Sequence, residues 1–279
     1  MTVVERIDQV RAFVQNSGQS TIGMVATLGA LHAGHRSLIE FARAAGDTVV
    51  ATLFLNPMQF NSDNDIDSYP RTRDADLKLL RDAGAALVFA PSVETMYPPH
   101  CDTAVVPGHV AKRLEGMKRP GHFQGVCTVV AKLLNIVTPA RAYFGQKDAQ
   151  QIAVIRRMVS DLDMDVTIVI CPTVRDSDGI ALSSRNILLS PKERSRAVVI
   201  PRALEACREH FRAGERDAEA LRVILRERLS NTVDLEYASV ADPDSMDELD
   251  TVTQQGIASV AARIGTVRLI DNVPLTLSD

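Results

Sequence analysis

The chain has 279 residues, 46% of them apolar and 24% charged, and 31 basic against 35 acidic side chains leave a net charge of −4. That length predicts a large domain followed by a smaller one, and the apolar content supports a sizeable core and argues against global disorder. The even charge offers no broad basic face, so a nucleic-acid partner is not expected. The four cysteines, Cys101, Cys127, Cys171 and Cys207, form no C-x-x-C pair. They read as reduced core thiols rather than as a zinc or redox motif.

Taken in chain order, residues 1–17 read as one amphipathic helix carrying both acids and bases, unlike a signal peptide. No apolar run approaches the roughly 18 residues of a membrane span, so a soluble, cytoplasmic enzyme with no membrane partner is expected. Residues 22–26 (IGMVA) form a short apolar run that reads as a buried strand, followed by TLGALHAGH and a helix-periodic SLIEFARAAG. The strongest strand signal is 47–56 (DTVVATLFLN). It leads into a polar loop at 61–67, a charged helix at 72–83 and a buried strand at 86–90. A long apolar helix at 121–137, a strand at 141–144, a helix at 148–162 and a strand at 165–171 continue the alternation. Alternating strands and helices predict an α/β, doubly wound (Rossmann-like) domain with a parallel sheet. Beyond it, helices at 191–212 and 217–230 precede strands at 235–241, 256–264 and 267–270, with Gly265 suited to a tight hairpin. The expected domains are therefore residues 1–175 and a smaller α+β domain with an antiparallel sheet at 176–279.

Three polar clusters fall at predicted strand ends, which in such a sheet lie along one edge. The first is Thr27-Leu28-Gly29-Ala30-Leu31-His32-Ala33-Gly34-His35. Gly29 and Gly34 permit close backbone approach, the helix beginning near Gly34 offers free N–H groups, and two imidazoles can donate to phosphate. A metal site or a purely structural cap are other uses of the pair, but no third ligand cluster accompanies it. The second cluster is Phe144-Gly145-Gln146-Lys147-Asp148, where Lys147 suits a phosphate and Asp148 a helix cap; taken alone, a capped helix with a solvated lysine is the better reading. The third, Ala181-Leu182-Ser183-Ser184-Arg185-Asn186, fits either a phosphate clamp or an ordinary loop. Neither a P-loop nor a G-x-G-x-x-G fingerprint is present.

Together with FLNPMQF (54–60), YPRT (69–72), RPGHFQGVCTVVAKLLNIVTP (119–139), FGQKDAQQ (144–151), DGIALSSRN (178–186) and RLIDN (268–272), these motifs run through nearly the whole chain. In them the sequence resembles the pantoate–β-alanine ligase family, within the H-x-G-H nucleotidyltransferase superfamily. The resemblance implies a ligase that makes pantoyl adenylate from ATP and pantoate, then passes the acyl group to β-alanine. It places ATP along Leu28, Gly29, His32, Gly34 and His35, along Gly145, Gln146, Lys147 and Asp148, near Val174, and along Leu182, Ser183, Ser184 and Arg185. It gives His35 the role of general acid with His32 beside it, and sets Lys147, Ser183, Ser184 and Arg185 on the leaving pyrophosphate. Gln59 and Gln151 would hold pantoate, with Asn56 and Tyr69 shaping the pocket. Mg²⁺ is implied, with Asp76 at an acidic position that could bind it. A homodimer and a C-terminal domain acting as a lid are implied as well.

The chain departs from the family's pattern at Ala26, at Leu28, at Gln146 in place of glutamate, and at Ala140-Arg141. Other functions compatible with parts of the pattern are a paralogous ligase for another hydroxy acid or amine, a catalytically silent nucleotide-binding or regulatory protein, a metal hydrolase built on the histidine pair, which lacks further ligands, and a nucleotidyltransferase acting on a phosphorylated acceptor. The last is disfavoured by Gln59 and Gln151, where a phosphate would call for basic residues.

Overall fold

A computed structural model gives the structure of the chain and describes residues 1–60, 66, 67 and 69–277. The polar loop expected at 61–67 falls largely outside them. The chain divides into two compact units, Met1–Gly145 with Val154–Pro172, and Gln146–Ala153 with Thr173–Asp279.

The first unit is a six-stranded sheet made of β1 (Thr2–Val4), β2 (Ile22–Thr27), β3 (Thr48–Leu53), β4 (Leu87–Phe89), β5 (Arg141–Gly145) and β6 (Thr167–Cys171). Every pairing is parallel and the spatial order is β1-β4-β3-β2-β5-β6. This is the α/β parallel sheet that the alternating pattern predicts. Right-handed crossovers dictate which face each helix covers. The chain steps one way through β2, β3 and β4, so α2 (Ala33–Ala44) and α3 (Arg73–Ala83) share a face and pack together. It steps the other way from β1 to β2 and from β4 to β5, so α1 (Ile7–Asn16) meets the long helix of residues 122–137. Leu38, Ile39 and Ala42 of α2 and Leu80 and Ala83 of α3 are buried with Val25, Val49, Ala51 and Val88.

Two features of this unit differ from expectation. The amino terminus is not one helix: Thr2–Val4 pairs in register with Leu87–Phe89 before α1 begins. The β-branched Thr-Val-Val run has a strand edge to join, and that outweighs the weak helical period of three residues. Cys101 is exposed, while Cys127, Cys171 and Cys207 are buried as expected. It stands between His100 and Asp102 in irregular chain after Pro98-Pro99. Burial pushes the thiols of Cys127 and Cys207 up to about 12 and that of Cys171 to about 11.

At the amino-terminal edge of the sheet the Arg141 departure finds its reason. Arg141 donates through Nε to Asp47 Oδ2 at 2.9 Å and through its terminal nitrogen to Oδ1, and Tyr143 donates its hydroxyl to Oδ2 at 2.7 Å. A Cβ on Gly23 would stand 2.9 Å from Asp47 Cβ, so glycine makes the room. Burial pushes the Asp47 carboxyl up, but the hydrogen bonds from Arg141 and Tyr143 outweigh it and hold the group below the ordinary carboxylate range. A carboxyl depressed in the folded state adds stability that is complete above its unfolded pKa, near 3.9, and is lost as pH falls through the folded value. Denaturation midpoints compared at pH 7 and pH 3 should therefore show the chain losing more on acidification than Asp47→Asn does. Equal acid losses would remove this pairing from the stability of the sheet.

In the second unit, α8 (Pro191–Ala197), α9 (Val199–Arg212) and α10 (Ala218–Leu229) precede the antiparallel strands β7 (Asp234–Ala241), β8 (Gln255–Ile264) and β9 (Val267–Thr276), ordered β7-β8-β9. In the first unit α4 is Val93–Met96, α5 is Leu114–Lys118 and α6 is His122–Val137, while α7, Ala149–Asp161, has residues in both units. The single helix expected at 191–212 is two, with Val198 between them. Pro201 brings no N–H to the ladder and fits only the first turn of the second helix. The last strand runs six residues further than its expected end at 270, because β8 pairs with it all the way from Ile264↔Val267 to Gln255↔Thr276. Gly265, at φ 61°, opens the two-residue hairpin as expected. Among the described residues no helix is long and apolar enough to cross a membrane.

Candidate active site

The sheet order reverses between β2 and β5, since β2 leads away to β3 and β4 on one side and β5 lies on the other. In an open parallel sheet that reversal leaves a crevice beyond the carboxyl ends of the two strands, where ligands bind. The segment leaving β2 there is Leu28–His35, and it runs directly into α2.

Its shape is fixed from below. Asp76, on α3 and 3% exposed, accepts hydrogen bonds from the N–H of Ala30 (3.0 Å, Oδ2), the N–H of Leu31 (2.8 Å, Oδ1) and the hydroxyl of Thr72 (3.1 Å, Oδ1). Gly29 turns at φ 96°, and a Cβ there would stand 3.3 Å from Asp76 Oδ2. Ala30 follows at φ 51°, a left-handed conformation that a side chain disfavours and that the two Asp76 bonds hold in place. Tyr69 adds a long bond from its hydroxyl to the carbonyl of Gly29, 3.4 Å. Ala26, where a stiff residue is usual in the resembled family, is an ordinary strand residue paired with Thr52.

The two histidines cap α2 reciprocally. His32 is the N-cap residue; its Nδ1 accepts from the N–H of Gly34 at 3.2 Å, while its own N–H donates to Nδ1 of His35 at 3.3 Å. The ring centroids are 4.1 Å apart and the planes tilted by 47°. With Nδ1 accepting in both rings, each neutral imidazole carries its proton on Nε2. The pair is thus structural and chemical at once: the backbone bonds that start the helix also select the tautomer and aim of two N–H donors, at the positive end of a twelve-residue helix.

Both Asp76 oxygens are taken by loop donors, and no group of three His, Cys, Asp or Glu side chains suited to a metal ion gathers among the described residues.

A second cluster lies on the short turn Pro57–Gln59 after β3. Asn56, fully buried, uses its whole amide on scaffold: Nδ2 donates to Gln59 Oε1 (2.9 Å) and to the carbonyl of Gly125 (3.1 Å), and Oδ1 accepts from Tyr97 (2.8 Å) and from the N–H of Met58 (3.3 Å). That orients Gln59, 7% exposed, so that its Nε2 remains a donor with no partner among the described residues. Helix α6 presses backbone to backbone on this turn, and a Cβ on Gly125 would lie 2.7 Å from the nitrogen of Gln59. Sequence reading gave Arg119 and His122 no role, although Arg-Pro-Gly-His before a helix was visible. His122 donates through Nδ1 to the carbonyl of Gln59 (2.8 Å), and Arg119 donates to the same carbonyl (3.3 Å) and to His122 Nε2 (3.1 Å). They place an imidazole and a guanidinium beside the Gln59 turn.

In the second unit, Gln146–Asp148 form a single 3-10 turn directly after Gly145 ends β5. Lys147 lies 3.4 Å from Asp148 Oδ1, and Gln146 donates through Nε2 to Asn272 Oδ1 at 3.1 Å. Gln151 is half-buried in the first turn of α7, next to the buried Gln150. Val174 accepts from the N–H of Leu182 (2.9 Å), closing a hairpin that delivers Ser183. Ser183 caps the turn Ser184–Leu188 by accepting from the N–H of Arg185 (3.3 Å), and Ser184 and Arg185 are half-buried. The structure therefore brings Tyr69 and Asp76 onto the Gly29–Leu31 segment that leads into the histidine pair, Gly34 onto His32, and Asn56 onto Gln59.

A parallel sheet with a reciprocally capped His-x-Gly-His turn at its point of reversal defines an α/β nucleotide-binding protein of the H-x-G-H type. Residues 2–274 match the family described as Pantoate-beta-alanine ligase. Pantothenate synthetase of Roseiflexus castenholzii is 52% identical over 98% of both chains, and that of Thermotoga petrophila 45% identical over 99% and 100%. Among solved structures, pantothenate synthetase of Thermus thermophilus superposes with a TM-score of 0.93 at 43% identity, covering 99% of this chain and 100% of the other. The pantoate–β-alanine ligase of Francisella tularensis, determined with β-γ ATP and β-alanine, gives 0.79 at 35% identity over 98% and 97%. The chain belongs to the pantoate–β-alanine ligase family.

Proposed function

We propose that this chain condenses pantoate with β-alanine at the expense of ATP, through a pantoyl adenylate. The observation that carries the reading is the reciprocal histidine cap, in a chain that matches the ligase family along its length. A carboxylate resists attack by an amine because its leaving group would be oxide. In the first step a pantoate carboxylate oxygen attacks the α-phosphorus, the bond to the bridging oxygen breaks, and pyrophosphate leaves. In the second the neutral amine of β-alanine attacks the acyl carbon, the acyl C–O bond breaks, AMP departs with that oxygen, and the amine loses a proton. No side-chain nucleophile takes part.

The protein's contribution is alignment and charge stabilisation. The Nε2–H groups of His32 and His35 and the first N–H groups of α2 meet phosphate oxygens as charge builds on the departing pyrophosphate, with Leu28, Gly29 and Gly34 giving the nucleotide close backbone approach. Lys147, Ser183, Ser184 and Arg185 supply further donors to the β and γ phosphates, and the backbone of Gly145, Gln146, Asp148, Val174 and Leu182 borders the nucleotide. Gln59, with Arg119 and His122 beside it, and Gln151 hold pantoate through its hydroxyls and carboxylate. Asn56 and Tyr69 act as scaffold for these groups. Mg²⁺ arrives as the counter-ion of the substrate's phosphates, consistent with Asp76 being committed to the loop. A homodimer and a cytoplasmic setting go with the family resemblance.

Product analysis tests the reading. Pyrophosphate is expected to form from ATP only when pantoate is present, and AMP to accumulate over many turnovers only once β-alanine is added. Pyrophosphate release that ignores pantoate and follows another acid would overturn the substrate assignment.

A further inference from the structure

Asn272 is a buried residue of β9, 4% exposed, whose side chain serves another segment altogether. Its Nδ2 donates to the carbonyls of Gln146 (3.0 Å) and Lys147 (2.9 Å), while Oδ1 accepts from Gln146 Nε2 (3.1 Å). All three bonds of the amide go to the turn that presents Lys147. Two carbonyls need two hydrogens on one nitrogen, and the return bond from Gln146 needs an adjacent oxygen, so an amide is the only side chain of this length that satisfies the set. Gln146, where the resembled family has glutamate, completes the match, since a carboxylate would face Oδ1 of Asn272 with no proton to give.

The neighbouring residue does the same for the other loop of this unit. Asp271, also 4% exposed, takes both terminal nitrogens of Arg175 (2.6 and 3.0 Å), and Arg175 donates on to the carbonyl of Gly179 (3.1 Å). That fixes the 174–182 hairpin from which Ser183, Ser184 and Arg185 follow. One dipeptide on one strand therefore braces both of these segments of the second unit, in addition to the bonds each makes within itself.

We propose that Asp271 and Asn272 are positioning residues for the adenylation step, acting through Lys147 and the 183–185 turn without touching substrate. The proposal rests on the reading of Lys147 as a phosphate-binding group. A placement error of about 1 Å in such a group can cost on the order of 100-fold in rate. A purely structural role for Asn272 would lower stability and leave the kinetics of the folded protein unchanged.

The test is pantoate-dependent ATP–pyrophosphate exchange by the full chain, with Asn272→Ala, Lys147→Ala and the double variant compared. Asn272→Ala is expected to slow exchange about 10- to 100-fold, with KM for pantoate within about twofold of the parent. In the Lys147→Ala background the same change should cost only about twofold more, because the group it positions is gone. Losses that multiply in the double variant, or parent-like exchange by Asn272→Ala beside a slow Lys147→Ala, would overturn the proposal. Parent-like exchange by Lys147→Ala would instead remove the reading of Lys147, a different pattern. Should Asn272→Ala fail to fold, Gln146→Ala deletes one of the three bonds from a half-buried side chain. A loss of about 3- to 10-fold that disappears in the Lys147→Ala background is then expected, and one that persists there contradicts the proposal.

Discussion

His35→Ala is expected to reduce ATP–pyrophosphate exchange by about 10²- to 10³-fold, the usual cost of deleting one preorganised donor from a site of developing negative charge. Because Nδ1 of His35 accepts the N–H of His32, the remaining proton sits on Nε2, and the ring cannot rotate without giving up that bond. The donor is therefore aimed before substrate arrives, which is what makes it effective in a transition state. The substitution also removes one partner of a helix cap, worth about 1 kcal/mol, so the protein should remain folded with a modestly lower melting midpoint. Exchange near the parent rate in a folded His35→Ala protein would take away the role assigned to the pair.

Asp76→Ala should damage both stability and rate. Three donors, the N–H groups of Ala30 and Leu31 and the Thr72 hydroxyl, lose their acceptor together. Losing an acceptor costs about 1–3 kcal/mol for each donor left buried, so a total on the order of 3 kcal/mol is expected where water can reach part of the loop. Ala30 is then free to abandon its left-handed conformation, the Gly29–His32 segment shifts, and the histidines shift with it. A rate loss of about 100-fold follows from a displacement near 1 Å. Denaturant midpoints and exchange rates measured at low and high Mg²⁺ separate this from metal binding. A loss of rate that high Mg²⁺ restores, with stability unchanged, would return Asp76 to the metal and contradict the loop-anchor account.

The strands at the sheet centre were readable because β2 and β3 are short apolar runs bounded by turn residues, and α6 because its apolar run is long and free of proline. The histidine turn could be placed at a strand end by the same local rules. What escaped was whatever depends on a distant partner. Thr2–Val4 looks like the start of a helix until β4, more than eighty residues later, offers an edge. Asp76 is one acidic residue among several on a charged helix, and its commitment to Ala30 and Leu31 spans about 45 residues of sequence. Asn272 appeared only as part of a motif; its bonds to Gln146 and Lys147 close over more than 120 residues. Arg119 and His122 were passed over for a different reason. They stand in a run that reads well as the beginning of α6, and their link to Gln59 becomes visible only when Gly125 lets that helix reach the 57–59 turn. Even the departures from the family's pattern gained a physical sense through remote partners, Arg141 through Asp47 and Gln146 through Asn272.

The central claim is that the acyl group travels as an adenylate, and the fate of one oxygen atom tests it most directly. Pantoate labelled with ¹⁸O in its carboxylate, turned over with ATP and β-alanine, should deliver one labelled oxygen to AMP and none to pyrophosphate, as read by mass spectrometry. Label found in inorganic phosphate, with ADP as the nucleotide product, would mean an acyl phosphate and would contradict the account.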